Sequence, residues 1–278
     1  VFGEHPYGRP VDGTMGSLAE ITAQDLRYFV ANRFVRDGLI VGVVGNITAA
    51  DLAPMLDHVF GDLPATAMQS SPDEVTTTAG GETFVVQMDI PQSVVVFGQR
   101  GVKRDSPDYY AAYVMNYILG GGGFSSRLYT EVREKRGLAY SVYSYLNPMP
   151  RAATISGGVA TRNNQVAQSI NVIRKEWGRM RNFGPSVREI ADAKTYLNGS
   201  FPLQLSSTSS IARMLVAMQY HDLGIDYIDR RDELINVVTL ADVQRVAGRI
   251  LDPKQLTVVV VGKPKGVEPT AEAPEIEN

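Results

Sequence analysis

Apolar and polar residues along this chain change period several times, and each change marks a new element. Residues 84–88 and 94–98 are short β-branched or aromatic runs, the signature of strands. Residues 107–119 carry Tyr110, Val114, Tyr117 and Ile118 at helical spacing, which predicts a helix with one apolar face. Four glycines follow, and then a charged helical stretch over 126–135, with Gly137 placed to end it. Residues 140–146 and 153–160 alternate like antiparallel strands. Helical spacing returns over 165–181, 185–197, 209–222 and 227–236. Strands in groups followed by helices in groups predict an α+β fold with an antiparallel or mixed sheet, not a doubly wound one.

One pattern occurs twice. Thr22, Asp25, Leu26, Val41, Val43 and Gly45 are matched by Thr239, Asp242, Val243, Val258, Val260 and Gly262, at an offset of 217 residues (Thr22 to Thr239). In both copies Thr-x-x-Asp reads as a helix start, with a capping hydroxyl and an acid near the positive end of the helix. A β-branched run then predicts a buried strand. A match held in register over the whole stretch predicts a duplicated unit.

The duplication suggests an organisation. Residues 1–65 are expected to be the C-terminal part of a first domain, and 66–81, small and turn-forming, a linker. Residues 82–264 are expected to be a second domain, and the Pro- and Glu-rich residues 265–278 a disordered tail. Projecting residue 82 back by the offset places the start of an equal first copy about 135 residues upstream of Val1. By that reading the first domain is incomplete here.

Composition narrows the chemistry. The chain has 278 residues, a net charge of −3, three histidines and no cysteine. No basic excess points to nucleic acid, and no apolar run reaches the roughly 18–20 residues of a membrane span. Thiol catalysis and Cys-zinc sites are excluded. His5, His58 and His221 lie far apart with no partner at ligand spacing, so no metal site is expected from this chain. No Gly-x-Ser-x-Gly elbow is present.

The segment 120–140 is the most informative. Gly120, Gly121, Gly122 and Gly123 have no side chains to pack, so they read as bare backbone. They do not fit a phosphate loop, because Phe124-Ser125-Ser126-Arg127 follows without the required lysine, and a helix rather than a strand precedes them. Two readings stay open: a flexible connection between helices, or a loop whose backbone approaches an extended peptide. Arg133 can donate to peptide carbonyls, and Tyr140 can donate to a developing oxyanion. Against this, the charges at 127–136 also suit a solvated helix face, and Tyr140 a strand residue packed on the sheet.

The stretch Leu119-Gly120-Gly121-Gly122-Gly123-Phe124-Ser125-Ser126-Arg127-Leu128, continued through Arg133, Gly137, Leu138 and Tyr140, resembles the second-domain signature of the pitrilysin, or insulinase-like, M16 zinc peptidases. His5-Pro6-Tyr7-Gly8-Arg9-Pro10 is similar to a motif late in that family's first domain, and Phe60-Gly61-Asp62-Leu63-Pro64 to its close. The resemblance implies duplicated two-layer α/β domains that enclose an unfolded peptide as an added strand. It implies that Arg133 and Tyr140 grip the scissile region, with Gly120–Gly123 and Phe124 beside them. It also implies zinc held by a His-x-x-Glu-His motif, which this chain lacks. Zinc is therefore expected in an upstream segment or a partner subunit, no cofactor is expected on this chain, and this chain alone is expected to be inactive. The wording around Arg162-Asn163-Asn164, Tyr196-Leu197 and Val243–Ala247 looks more like bacterial partner subunits, which implies a homo- or heterodimer with a similar chain and a periplasmic location. The alternative is a scaffold or binding subunit of the same fold without peptidase function.

Overall fold

The computed structural model describes residues 1–67, 71–75, 77 and 80–273. In chain order they form α1 (Met15–Glu20), α2 (Ala23–Arg33), α3 (Ala49–Phe60), β1 (Thr83–Gln87), β2 (Gln92–Arg100) and α4 (Tyr109–Asn116). These are followed by β3 (Ala139–Met149), β4 (Ala152–Arg162), α5 (Val166–Phe183), α6 (Val187–Ser200), α7 (Thr208–Tyr220), α8 (Tyr227–Asn236), α9 (Leu240–Ile250) and β5 (Thr257–Gly262). The described residues fall into two compact units. One contains residues 1–8, 74–198 and the chain from 231 onward; the other contains 9–73 and 199–230.

The larger unit is built on a mixed five-stranded sheet in the order β1-β5-β2-β4-β3, in which only the β1–β5 pair is parallel. Alternation in β2 decides which face is covered. Val95 and Phe97 are buried, together with Ile155 and Val159 of β4 and Val258 and Val260 of β5. They share one core with Met115 of α4, Ile173 and Trp177 of α5, and Val243 and Val246 of α9. The Phe97 and Trp177 rings meet edge to face at 5.6 Å, the favoured aromatic arrangement. On the opposite face Val94 and Val96 are exposed. The result is the expected α+β architecture, with helices on one face of this sheet.

The second copy of the repeat supplies the middle of this layer. Thr239 caps α9, accepting from the Asp242 N–H at 3.1 Å, while the Asp242 carboxylate accepts from the Thr239 N–H at 3.0 Å. Val243, Val246 and Ala247 then face the core, and β5 enters the sheet between β1 and β2. The buried Asp108, immediately before α4, forms ion pairs with Arg245 and Arg249 of α9, each at 2.7 Å. The Arg245 hydrogen bond holds the Asp108 carboxyl below its ordinary pKa, against the opposing effect of burial.

The smaller unit differs from the sequence expectation. Residues 39–44, expected as a strand, form none and pair with no strand among the described residues. Their backbone instead packs on α7: a Cβ at Gly42 would lie 2.7 Å from the Ala212 carbonyl and 2.8 Å from Val216 Cγ2. That contact explains why 199–230 groups with 9–73 rather than completing a continuous second domain over 82–264. Val41, Val43, Leu52, Leu56, Leu215 and Met218 line an apolar cavity of about 520 Å³ in this unit.

Two other expectations are corrected. Part of the proposed linker is anchored, since the Val75 N–H donates to the Arg151 carbonyl at 2.9 Å and Glu74 pairs with Lys103. The tail is also ordered beyond residue 264: Thr270 and Thr83 of β1 exchange two hydrogen bonds, both 2.8 Å, because β1 is an edge strand with unpaired backbone groups. Residues 68–70, 76, 78–79 and 274–278 of the expected linker and tail lie outside the described residues.

Candidate functional site

The glycine segment is shaped by two stretches of wider helical winding. After α4 the chain continues as a π segment over Tyr117–Gly121, and the Gly122 N–H reaches five residues back to the Tyr117 carbonyl at 2.8 Å. A second π segment covers Tyr129–Glu134, closed by the Lys135 N–H on the Thr130 carbonyl at 3.0 Å. Such winding is rare and concentrates at functional sites. Hydrophobic periodicity does not reveal it, because segments of five and six residues are too short to show a period of their own.

The four glycines do different work. Gly120 is buried, and a Cβ there would overlap Ser144 Oγ and lie 2.7 Å from Ser144 N. It lets the π segment approach β3, so packing does explain this glycine, and Gly120 stands apart from the surface backbone it was expected to join. Gly123 has φ +53° with open space around it, a left-handed turn that glycine adopts without strain. Gly121 and Gly123 are exposed and Gly122 is half-buried. The turn is tied down: Ser125 Oγ donates to the Gly122 carbonyl at 2.9 Å, and Ser126 Oγ donates to the Gly123 carbonyl at 2.8 Å.

Beyond the turn, Arg127 anchors the chain to the start of α6. Its Nε donates to Glu189 Oε1 at 2.6 Å, and its Nη2 donates to Glu189 Oε2 at 2.8 Å and to the Gly184 carbonyl at 3.0 Å. Burial opposes ionisation of Glu189, but the hydrogen bonds from Arg127 and Ser186 outweigh it and hold the carboxyl at about 2. This forked pair fixes one end of the segment that carries Arg133.

Arg133 and Tyr140 come together through a reversal at Gly137. That glycine has φ +59°; its N–H donates to the Arg133 carbonyl at 2.8 Å, and the Leu138 N–H donates to the Val132 carbonyl at 3.0 Å. The chain thus doubles back, and Thr161 Oγ1 of β4 donates to the Leu138 carbonyl at 2.6 Å. A bulge then occurs in β3, where Ala139 faces Thr161 but Val142 faces Val159. The extra residue keeps Ala139 and Val142 both buried and leaves Tyr140 and Ser141 outside.

The guanidinium carbon of Arg133 lies 4.5 Å from the centroid of the Tyr140 ring, 4.8 Å from Tyr129 and 5.6 Å from Phe124. Three rings thus surround one cation. Tyr140 is 82% exposed and Phe124 74% exposed, so the box opens to solvent. Among the described residues the Arg133 guanidinium meets no carboxylate or carbonyl partner. Its neighbours Lys135 and Arg136 do, both pairing with Glu131 at 2.6 Å. Lys135 and Arg136 thus pair with Glu131 along the segment, whereas the Arg133 guanidinium meets aromatic rings. Tyr129 was not singled out from sequence; an aromatic four residues before an arginine was the available signal.

β3 lies at the edge of the sheet and pairs only with β4 among the described residues. Its outer backbone groups can accept another strand beside Tyr140. Among the described residues zinc has no comparable place. His5 Nδ1 accepts from the Tyr7 N–H, His58 lies in α3, and His221 ends α7. Among the described residues no three His, Asp or Glu side chains come together to hold a metal ion, so this donor set does not fit the zinc expected of the complete enzyme. No helix among the described residues is long and apolar enough to cross a membrane.

Comparison with known proteins matches residues 20–197 to the family described as the peptidase M16 inactive domain. A zinc protease of Mycobacterium leprae, itself uncharacterized, is 31% identical over 265 residues, which cover 94% of this chain and 59% of that protein. A protein of Helicobacter pylori named a non-peptidase homolog is 30% identical over 226 residues, 81% of this chain and 51% of that one. The crystal structure of a peptidase M16 inactive domain from Pseudomonas fluorescens superposes with a TM-score of 0.86 at 28% identity, covering 97% of this chain and 64% of that chain. The chain thus spans between half and two thirds of the length of these relatives.

Proposed function

The chain belongs to the peptidase M16 inactive-domain family, and from that premise we propose that it binds extended peptide for a zinc endopeptidase whose metal lies elsewhere. The single observation that carries this reading is the Arg133 box: a cation ordered by three rings, open to solvent, with no anion of its own among the described residues. A guanidinium held this way keeps its donors for carbonyls of a visiting chain. The free edge of β3 offers those carbonyls a register, as in strand addition. Tyr140 supplies a phenol at the same place, and Gly121–Gly123 with Phe124 form the adjoining wall. In this reading the chain completes a chamber around the peptide, and a similar chain or an upstream segment brings the zinc. A periplasmic setting belongs to the same proposal.

The test uses the complete zinc-bearing enzyme. Arg133→Ala and Tyr140→Phe are expected to lower peptide turnover at least tenfold while zinc content stays at the wild-type level. Wild-type turnover in both variants contradicts the assigned roles. The name of the Helicobacter pylori relative favours a second reading, a binding subunit with no peptidase partner. That reading predicts peptide binding by this chain but no hydrolysis in any complex it forms.

A further inference from the structure

The peptide site proposed above uses the rings that follow the glycine turn in the chain. A second pair of rings packs against the same turn. Tyr117, the first residue of the π segment before the turn, is half-buried and stacks on Tyr196 of α6, with ring centroids 5.2 Å apart and planes 29° apart. Tyr117 is tied to the turn twice. Its carbonyl accepts from the Gly122 N–H, and its hydroxyl lies 3.2 Å from Ser125 Oγ. The Ser125 proton is committed to the Gly122 carbonyl, so the Tyr117 hydroxyl is the donor of that bond. A Cβ at Gly122 would lie 3.0 Å from Tyr117 Cζ, so this glycine leaves room for the ring.

Helix α6 places Tyr196. Glu189 and Tyr196 are seven residues apart, roughly two turns and about 10 Å along one face of the helix. Glu189 binds Arg127, just after the turn, and Tyr196 stacks on Tyr117, just before it. One helix face thus holds the turn at both ends. Tyr196 is nevertheless open to solvent: it is 58% exposed, whereas Leu197 beside it is buried. Exposed surface continues from this pair to the Arg133 box. Gly121, Gly123, Phe124 and Ser125 are all exposed, and the Phe124 ring lies 5.6 Å from the Arg133 guanidinium carbon.

On the premise that the Arg133 box holds extended peptide, we infer that Tyr117 and Tyr196 form a subsite for an aromatic side chain of that same peptide. Two stacked rings, one of them exposed, accept a third in the offset or edge-on arrangement that aromatic pairs favour, with centroids about 4.5–7 Å apart. A cationic side chain can also lie over a tyrosine face. Here the neighbouring charges disfavour it. Arg133 has no anion of its own among the described residues, and Asp192, one turn before Tyr196, is paired with Arg188. The subsite therefore selects a ring over a cation.

The test is fluorescence anisotropy of three labelled, unstructured Ser/Ala peptides that differ only in a central Phe, Arg or Ser. The Phe peptide is expected to bind wild type about tenfold more tightly than the other two. Tyr196→Ser is expected to abolish that preference, and Tyr196→Phe, which keeps the ring, to retain it. Val187→Ser, at the exposed start of α6 and outside the site, should keep the wild-type preference. Equal binding of the three peptides, a preference for Arg, or an undiminished Phe preference in Tyr196→Ser overturns the inference and leaves the Arg133 reading standing. Binding of none of the three peptides overturns both. Circular dichroism of each variant checks that the fold is kept.

Discussion

Helix α2 with the segment that follows it, and helix α9 with β5, share their caps, their length and their apolar spacing, yet they end in different environments. Both helices are eleven residues long, both open on a Thr–Asp capping box, and both end on an extended residue, Phe34 and Leu251. Their burial differs, within the helices and beyond them. Val246 is 0% exposed where its counterpart Phe29 is 55% exposed, and Val260 is 0% exposed where Val43 is 40% exposed. The second copy has a sheet to enter. The first has no paired strand beside it among the described residues, and its apolar run packs on α7 at Gly42 instead. Capping is a local interaction within one helical turn, so it forms in both copies. A strand is a property of at least two segments, so it forms in one.

The contrast predicts that equal substitutions have unequal effects. Leu256→Ala removes a fully buried side chain just before β5 and is expected to cost about 2–5 kcal/mol. Leu39→Ala, at the matching exposed position, is expected to cost less than about 0.5 kcal/mol. Urea denaturation of the two variants checks this, and similar losses would mean that residues 39–44 are buried as β5 is.

The caps should behave alike. Thr239→Ala and Thr22→Ala each remove a hydroxyl that accepts from the N3 N–H and are each expected to cost about 1 kcal/mol of helix stability. Amide exchange in α9 and α2 reads the effect separately. A marked loss in α9 with none in α2 would break the claim that capping is independent of packing.

The smallest expected effect is electrostatic. The Asp25 and Asp242 carboxyls both lie below their ordinary pKa of 3.8, mainly through hydrogen bonds from the Thr22 and Thr239 side chains. A carboxyl depressed by folding stabilises the helix above its unfolded pKa and loses that contribution as pH falls below 3.8 through the folded value. Carboxyl-resolved NMR titration should find both depressed, and an ordinary value at Asp25 alone would show that the first cap does not form.

Much of this was legible in the sequence, for identifiable reasons. The strands of the sheet follow from β-branched runs, and α9 from its cap and apolar stripe, because those signals are local and agree with one another. The approach of Arg133 to Tyr140 was legible as spacing across Gly137. Other features were not. The π segments are too short to show a period of their own, and the packing role of Gly120 depends on Ser144, 24 residues away. The anchor from Arg127 to Glu189 spans 62 residues. The reassignment of 199–230 arises from a contact between α7 and Gly42 that no periodicity encodes.

The central claim is that the uncompensated guanidinium in its ring of aromatics takes hold of extended peptide. Fluorescence anisotropy of a labelled, unstructured peptide titrated with this chain and with its Arg133→Ala variant tests it most directly. The account predicts saturable binding that weakens at least tenfold in the variant, with thermal stability changed little. Equal affinity in the two proteins, or no binding to either, would contradict it.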